Sequence, residues 1–87
     1  MNFEWDPQKA EYNLQKHGVS FQEASTVFGD KLSITNYDPG HSNDEDRFMI
    51  VGWSLQQNLL MVSYTERGEK IRIISSRKLT KNERKSY

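Results

Sequence analysis

The chain has 87 residues, 34% apolar and 11% aromatic, with twelve basic side chains balanced by twelve acidic ones and no cysteine. A chain this short buries only about 60–65% of its unfolded surface, so residues 1–87 are expected to form one domain around one modest core. The missing cysteine excludes disulfides, thiolate metal sites and a cysteine nucleophile together. Residues 1–6 carry neither the basic nor the apolar region of a signal peptide, and no apolar run approaches a bilayer span. The expected compartment is the cytoplasm, with no membrane partner.

The balanced total conceals a split. Residues 1–62 carry four basic and nine acidic side chains, a net charge of −5, whereas residues 63–87 carry eight and three, a net of +5. A basic C-terminal third suits a large anion, nucleic acid being the commonest, or is simply a solvated charged surface.

Asp6-Pro7 opens the first helix, Asp6 accepting from free first-turn amides and Pro7 needing no donor there. Trp5 and Ala10 are spaced for a hydrophobic staple, Ala10, Leu14 and His17 share one face, and Gly18 is the left-handed stop. Ser20 and Glu23 then form a capping box, followed by the apolar stripe Phe21, Ala24, Val27, Phe28 and a stop at Gly29.

The period next changes from 3.6 to 2. Leu32 and Ile34 alternate with polar neighbours over residues 31–36, a half-buried strand. Residues 37–46 make a polar loop, and residues 47–54 a strand apolar on both faces, expected at the sheet's centre. Turns at residues 56–58 and 66–69 lead into strands over residues 59–65 and 70–77. Thr80 and Glu83 cap a final basic helix. The predicted fold is α+β: two N-terminal helices, a four-stranded antiparallel sheet with the helices on one face, and a short C-terminal helix.

Phe3-Glu4-Trp5-Asp6, Asn13, Lys16-His17-Gly18-Val19-Ser20-Phe21, Glu23-Ala24, Val27-Phe28 and Asp30 resemble the opening of the BrnT toxin family. Downstream, Glu45-Asp46-Arg47, Tyr64-Thr65-Glu66-Arg67, Arg72-Ile73-Ile74-Ser75-Ser76-Arg77-Lys78 and Glu83-Arg84 continue the resemblance in the same order. Ser76 departs from it, alanine being expected there. The resemblance implies a RelE-like ribonuclease fold and cleavage of RNA inside the cell. It also implies neutralisation by a ribbon-helix-helix (BrnA-like) antitoxin, through which the complex binds operator DNA and represses its own operon.

Metal-free RNA cleavage uses the adjacent 2′-hydroxyl as nucleophile. It needs a base, cations for the charge gathering on phosphorus, and an acid for the leaving 5′-oxygen. Arginine suits the cationic role because its fork grips two phosphate oxygens. Arg67 and Arg77 are the leading catalytic candidates and Arg72 a substrate contact, since one turn and one strand can present all three on one surface. Strict alternation puts Arg77 beside Ile71 and Ile73, but the Ile73-Ile74 pair is a candidate bulge that would turn it over. Glu66 is a candidate base or a solvated turn residue. Lys78 is a base if its pKa is lowered, and otherwise steers phosphate.

Tyr64 stacks on RNA or packs in the core. His17 caps helix carbonyls, or acts as general acid or RNA contact. Lys81 and Arg84 are substrate contacts, and Tyr87 a donor to RNA. His41, Asp38, Asp44, Glu45 and Asp46 invite a metal reading, but their spacing matches no calcium loop or zinc site, so neither metal nor cofactor is expected. The rival readings are a non-catalytic nucleic-acid-binding module and a pure protein-interaction partner.

Overall fold

The structure, a computed structural model, describes residues 1–41 and 45–87. Asp44, part of the metal reading, lies outside them. Helix α1 spans Pro7–His17, its N-cap Asp6 accepting from the Gln8 amide at 2.8 Å and its stop Gly18 at φ 69°. Helix α2 spans Phe21–Thr26 and runs into a 3₁₀ turn over Val27–Gly29. Its Ser20 cap forms, but Glu23 does not close the expected box. The Glu23 carboxylate instead accepts from Ser54 Oγ at 2.7 Å and Asn58 Nδ2 at 2.8 Å, tying α2 to a distant loop.

Five strands follow the order β1-β5-β4-β3-β2: β1 (Asn2–Glu4), β2 (Ile34–Tyr37), β3 (Arg47–Trp53), β4 (Leu59–Arg67) and β5 (Lys70–Lys78). The expected four-stranded antiparallel sheet is thus a five-stranded mixed one, because β1 lies parallel to β5 with Phe3 opposite Ile71. Three residues are too few to display alternation. Their partners make them a strand: Phe3 meets Phe28 with ring centroids 5.2 Å apart, and Glu4 pairs with Arg72 at 2.8 Å. The centre is β4 rather than β3, since the added strand shifts the middle of the sheet. Leu32 and Ile34 are exposed, not half-buried: Leu32 precedes the strand and Ile34 opens β2 at the edge of the sheet.

The core lies on one face, where Leu60, Val62, Tyr64, Ile73 and Ile50 meet Val19, Phe21, Ala24 and Val27. Leu14, expected on the inward stripe of α1, is exposed, and Asn13 is buried in its stead. Asn13 is held in place by polar bonds: its amide donates to the Val19 and Ser76 carbonyls at 3.0 and 2.8 Å and accepts from the Ser76 N–H at 3.1 Å. Beyond the reach of β1, α1 thereby covers the open edge of β5. The short helix α3 (Lys81–Arg84) does not join α1 and α2 on the core face. It crosses the opposite, outer face.

A candidate active-site cleft on the outer face

A bulge decides which side chains reach the outer face. Ser63 pairs with Ser75 but Tyr64 pairs with Ile73, so Ile74 is an extra residue and the alternation of β5 reverses. Ser75 and Arg77 therefore share the outer face with Ser63 and Met61, while Ile71 and Ile73 stay in the core. His17, at the end of α1, reaches over the covered β5 edge. It lines a cavity of about 240 Å³ with Met61, Ser63, Ser75, Ser76 and Arg77. One cation, one imidazole and three hydroxyl-bearing residues meet there, from three elements distant in sequence.

Arg77 is the centre of this cleft. Its guanidinium makes a fork-to-fork pair with Glu83, Nη1 to Oε1 at 2.7 Å and Nη2 to Oε2 at 2.9 Å. It also donates to the Lys78 carbonyl at 3.3 Å and touches Met61 Sδ at 3.5 Å. The Glu83 carboxyl is held down to about 2, first by the hydrogen bonds from Arg77 and then by the Thr80 amide. Reciprocally, the pair raises Arg77 above its ordinary value. The Thr80–Glu83 capping box forms as the spacing predicts, but the same carboxylate also carries the Arg77 contact.

The other candidates are dispersed. Arg67 lies on the same outer face at the far end of β4, six residues from Met61, or about 20 Å along a strand. There it meets Glu45 at 3.3 Å in an exposed pair. Arg72 is on this face too, committed to Glu4 at 2.8 Å. Glu66 and Lys78 alternate to the core side, both exposed at opposite sheet ends. Tyr64 is buried against Phe28 and Phe48, at centroid distances of 4.9 and 5.5 Å. That burial raises its hydroxyl pKa, against a lowering hydrogen bond with Thr35 and with a smaller raising effect from the Glu66 charge. Arg84 lies 6.0 Å over the Trp53 ring, Lys81 is exposed, and Tyr87 lines a separate hollow with Val51 and Leu59. Asp46 accepts from the Tyr37 hydroxyl at 3.1 Å.

Asn13 and Glu83, which hold β5 and Arg77 in place, are the positions that the sequence pattern marks least. Asn13 carried no periodic signal, and Glu83 signalled only its cap. A larger concavity of about 590 Å³ runs past Phe3, Phe28, Trp53 and Leu55. It is mostly apolar. Its Asp30 carboxylate is lowered in pKa first by the Trp53 amide (2.8 Å) and then by that of Leu32 (3.0 Å), which leaves it poorly placed for proton transfer.

Comparison with known proteins agrees with this architecture. The family model described as ribonuclease toxin, BrnT, of type II toxin–antitoxin system matches residues 5–83. Among solved structures, the Brucella abortus ribonuclease toxin BrnT is similar at a TM-score of 0.68 and 23% identity, over 93% of this chain and 99% of that one. A comparison with curated proteins found no match.

Proposed function

The chain belongs to the BrnT family of ribonuclease toxins from type II toxin–antitoxin systems, and on that premise we propose that it cleaves RNA without a metal ion, by attack of a 2′-hydroxyl on the adjacent phosphorus. The observation that carries this reading is the outer-face cleft in which His17 and Arg77 converge. Arg77 grips two oxygens of the scissile phosphate and offsets the charge gathering there, which is the step where a preorganised cation contributes most. His17 exchanges the proton, since imidazole is the commonest carrier in such steps. His17 takes the 2′-hydroxyl proton as that oxygen bonds to phosphorus. The bond to the 5′-oxygen breaks, that oxygen takes a proton from solvent, and the imidazolium returns its proton to solvent. A cyclic phosphate and a 5′-hydroxyl result.

Lys81 and Arg84, on the short helix α3, steer the RNA backbone, a role that long-range attraction suits. Arg67, Arg72 and Lys78 add to the basic field rather than to the reacting atoms. Membership of a type II system implies an antitoxin. We assign it as a ribbon-helix-helix protein of the BrnA kind, acting in the cytoplasm, covering the basic outer face and carrying the complex to operator DNA.

Turnover of an RNA oligonucleotide by the purified chain in EDTA tests the chemistry. Multiple turnovers with a cyclic-phosphate product are expected. Loss of activity in EDTA, restored by magnesium or manganese, overturns the metal-free mechanism. Stoichiometric binding without turnover favours a non-catalytic RNA-binding module.

A further inference from the structure

If Arg77 is the phosphate seat, as that reading holds, the seat is already taken. We propose that Glu83 is an intramolecular stand-in for the RNA phosphate, and that α3 is a latch which must release Arg77 before substrate binds.

The geometry supports this in three ways. A carboxylate and a phosphate accept the same two parallel N–H bonds from a guanidinium, and Glu83 takes both from Arg77, at 2.7 and 2.9 Å. Second, Glu83 is the single acidic residue among residues 70–87, a tract with seven basic ones. Within that basic tract, the one acidic side chain sits on the cation at the centre of the cleft. Third, α3 is lightly attached. It is four residues long, and among the described residues its side-chain holds on the sheet include the Arg77 pair and Arg84 lying 6.0 Å over the Trp53 ring. The backbone bonds beyond it, from Lys85, Ser86 and Tyr87, are 3.1–3.3 Å long.

The charge pattern also favours exchange. Once Glu83 leaves Arg77, Lys81, Arg84 and Lys85 remain on the same short segment, so RNA that displaces the carboxylate gains three further cations. The cap need not unravel, because Thr80 Oγ1 accepts from the Glu83 amide at 3.2 Å independently of the carboxylate.

Glu83→Gln separates the two duties of this side chain. Glutamine still serves a capping box but cannot present two anionic oxygens to Arg77. Cleavage of a short single-stranded RNA oligonucleotide in EDTA is compared for the full-length wild type, Glu83→Gln, Arg77→Ala and the double variant. The latch predicts that Glu83→Gln lowers KM by about three- to fivefold, the worth of a partly exposed ion pair, and that the gain vanishes when Arg77 is absent. An unchanged or raised KM with a lower kcat overturns the latch and makes Glu83 a positioning residue for Arg77. If Arg77→Ala retains full activity, the latch falls together with the assignment of Arg77. A loss in Arg77→Ala without the gain in Glu83→Gln sinks the latch alone. In the unmodified chain, inorganic phosphate should shift the NMR signals of the Arg77 guanidinium and the Glu83 amide together. Phosphate that moves Arg77 while leaving Glu83 in place also overturns the proposal.

Discussion

Arg67 and Arg77 occupy opposite ends of one strand pair and project from the same face, yet their surroundings differ in kind. At the hairpin end, Arg67 stands about half-exposed and reaches Glu45 at 3.3 and 3.4 Å. Water competes for both partners there, and such a pair contributes about 0–1 kcal/mol. At the other end, Arg77 is flanked by α1, β4 and α3 and makes short, parallel bonds. Residue type and face are shared. The difference is less exposure, 37% against 49%, than geometry: Arg67 makes two long bonds at the surface, while Arg77 is oriented by a short fork-to-fork pair in a cleft beside an imidazole.

The strongest way to break this comparison is kinetic. Arg77→Ala should reduce kcat by about 100–1,000-fold, the cost of removing a preorganised charge donor from a transition state. Arg67→Ala should cost less than about tenfold, chiefly through KM and with the salt dependence of an exposed charge. Equal losses in both folded variants would show that RNA spans the whole outer face and that the oriented geometry of Arg77 is not what matters.

Asn13 sharpens the comparison from behind the sheet, since it clamps β5 at Ser76, next to Arg77. Asn13→Ala leaves buried backbone groups of Val19 and Ser76 without partners and should cost about 2–3 kcal/mol. For a chain of this size that lowers Tm by on the order of 10 °C or more in a thermal melt. A melt within a degree or two of wild type would mean that the β5 edge needs no such clamp.

Acid separates the ends next. The Glu83 carboxyl sits at about 2, below its ordinary 4.5, so its pairing stabilises the protein fully above about pH 4.5. That contribution is lost as the pH falls toward about 2. The gap in denaturant midpoint between wild type and Glu83→Gln should therefore narrow across this window and close below it. A gap that stays constant over that window would show that charge is not what Glu83 contributes. The smallest effect belongs to Ser76, whose buried hydroxyl has no hydrogen-bond partner among the described residues. Ser76→Ala, the residue expected from the family resemblance, should be neutral or stabilise by up to about 1 kcal/mol. Destabilisation by more than that in chemical denaturation would reveal a hidden partner.

Much of the local structure was legible because its causes lie within four residues of one another. Asp6, Pro7 and Gly18 delimit α1, Ser20 starts α2, and Thr80 with Glu83 caps α3, each where spacing places it. The strands of the two hairpins follow from alternation, and Gly68, at φ 61°, supplies the backbone that a two-residue turn from Arg67 to Lys70 requires. The Ile73-Ile74 bulge was visible as a fault in that alternation, and it turns Arg77 outward.

The tertiary structure alone decided which of these pieces meet. No property of Asn2–Glu4 by itself makes a strand; β5 does so by offering a parallel edge, with Ile71 and Arg72 opposite Phe3 and Glu4. Asn13 is inward because the backbone at Val19 and Ser76 demands polar partners there, a demand that outweighs the apolar stripe through Leu14. The sequence nominated Arg67, Arg77, Glu66, Lys78 and His17 on residue chemistry, but their separation depends on sheet register, which no local pattern encodes. A capping box explains Glu83 within its own helix. Its hold on Arg77 arises only where α3 folds back across the sheet, because a carboxylate in a cap keeps oxygen lone pairs for whatever cation the fold brings near.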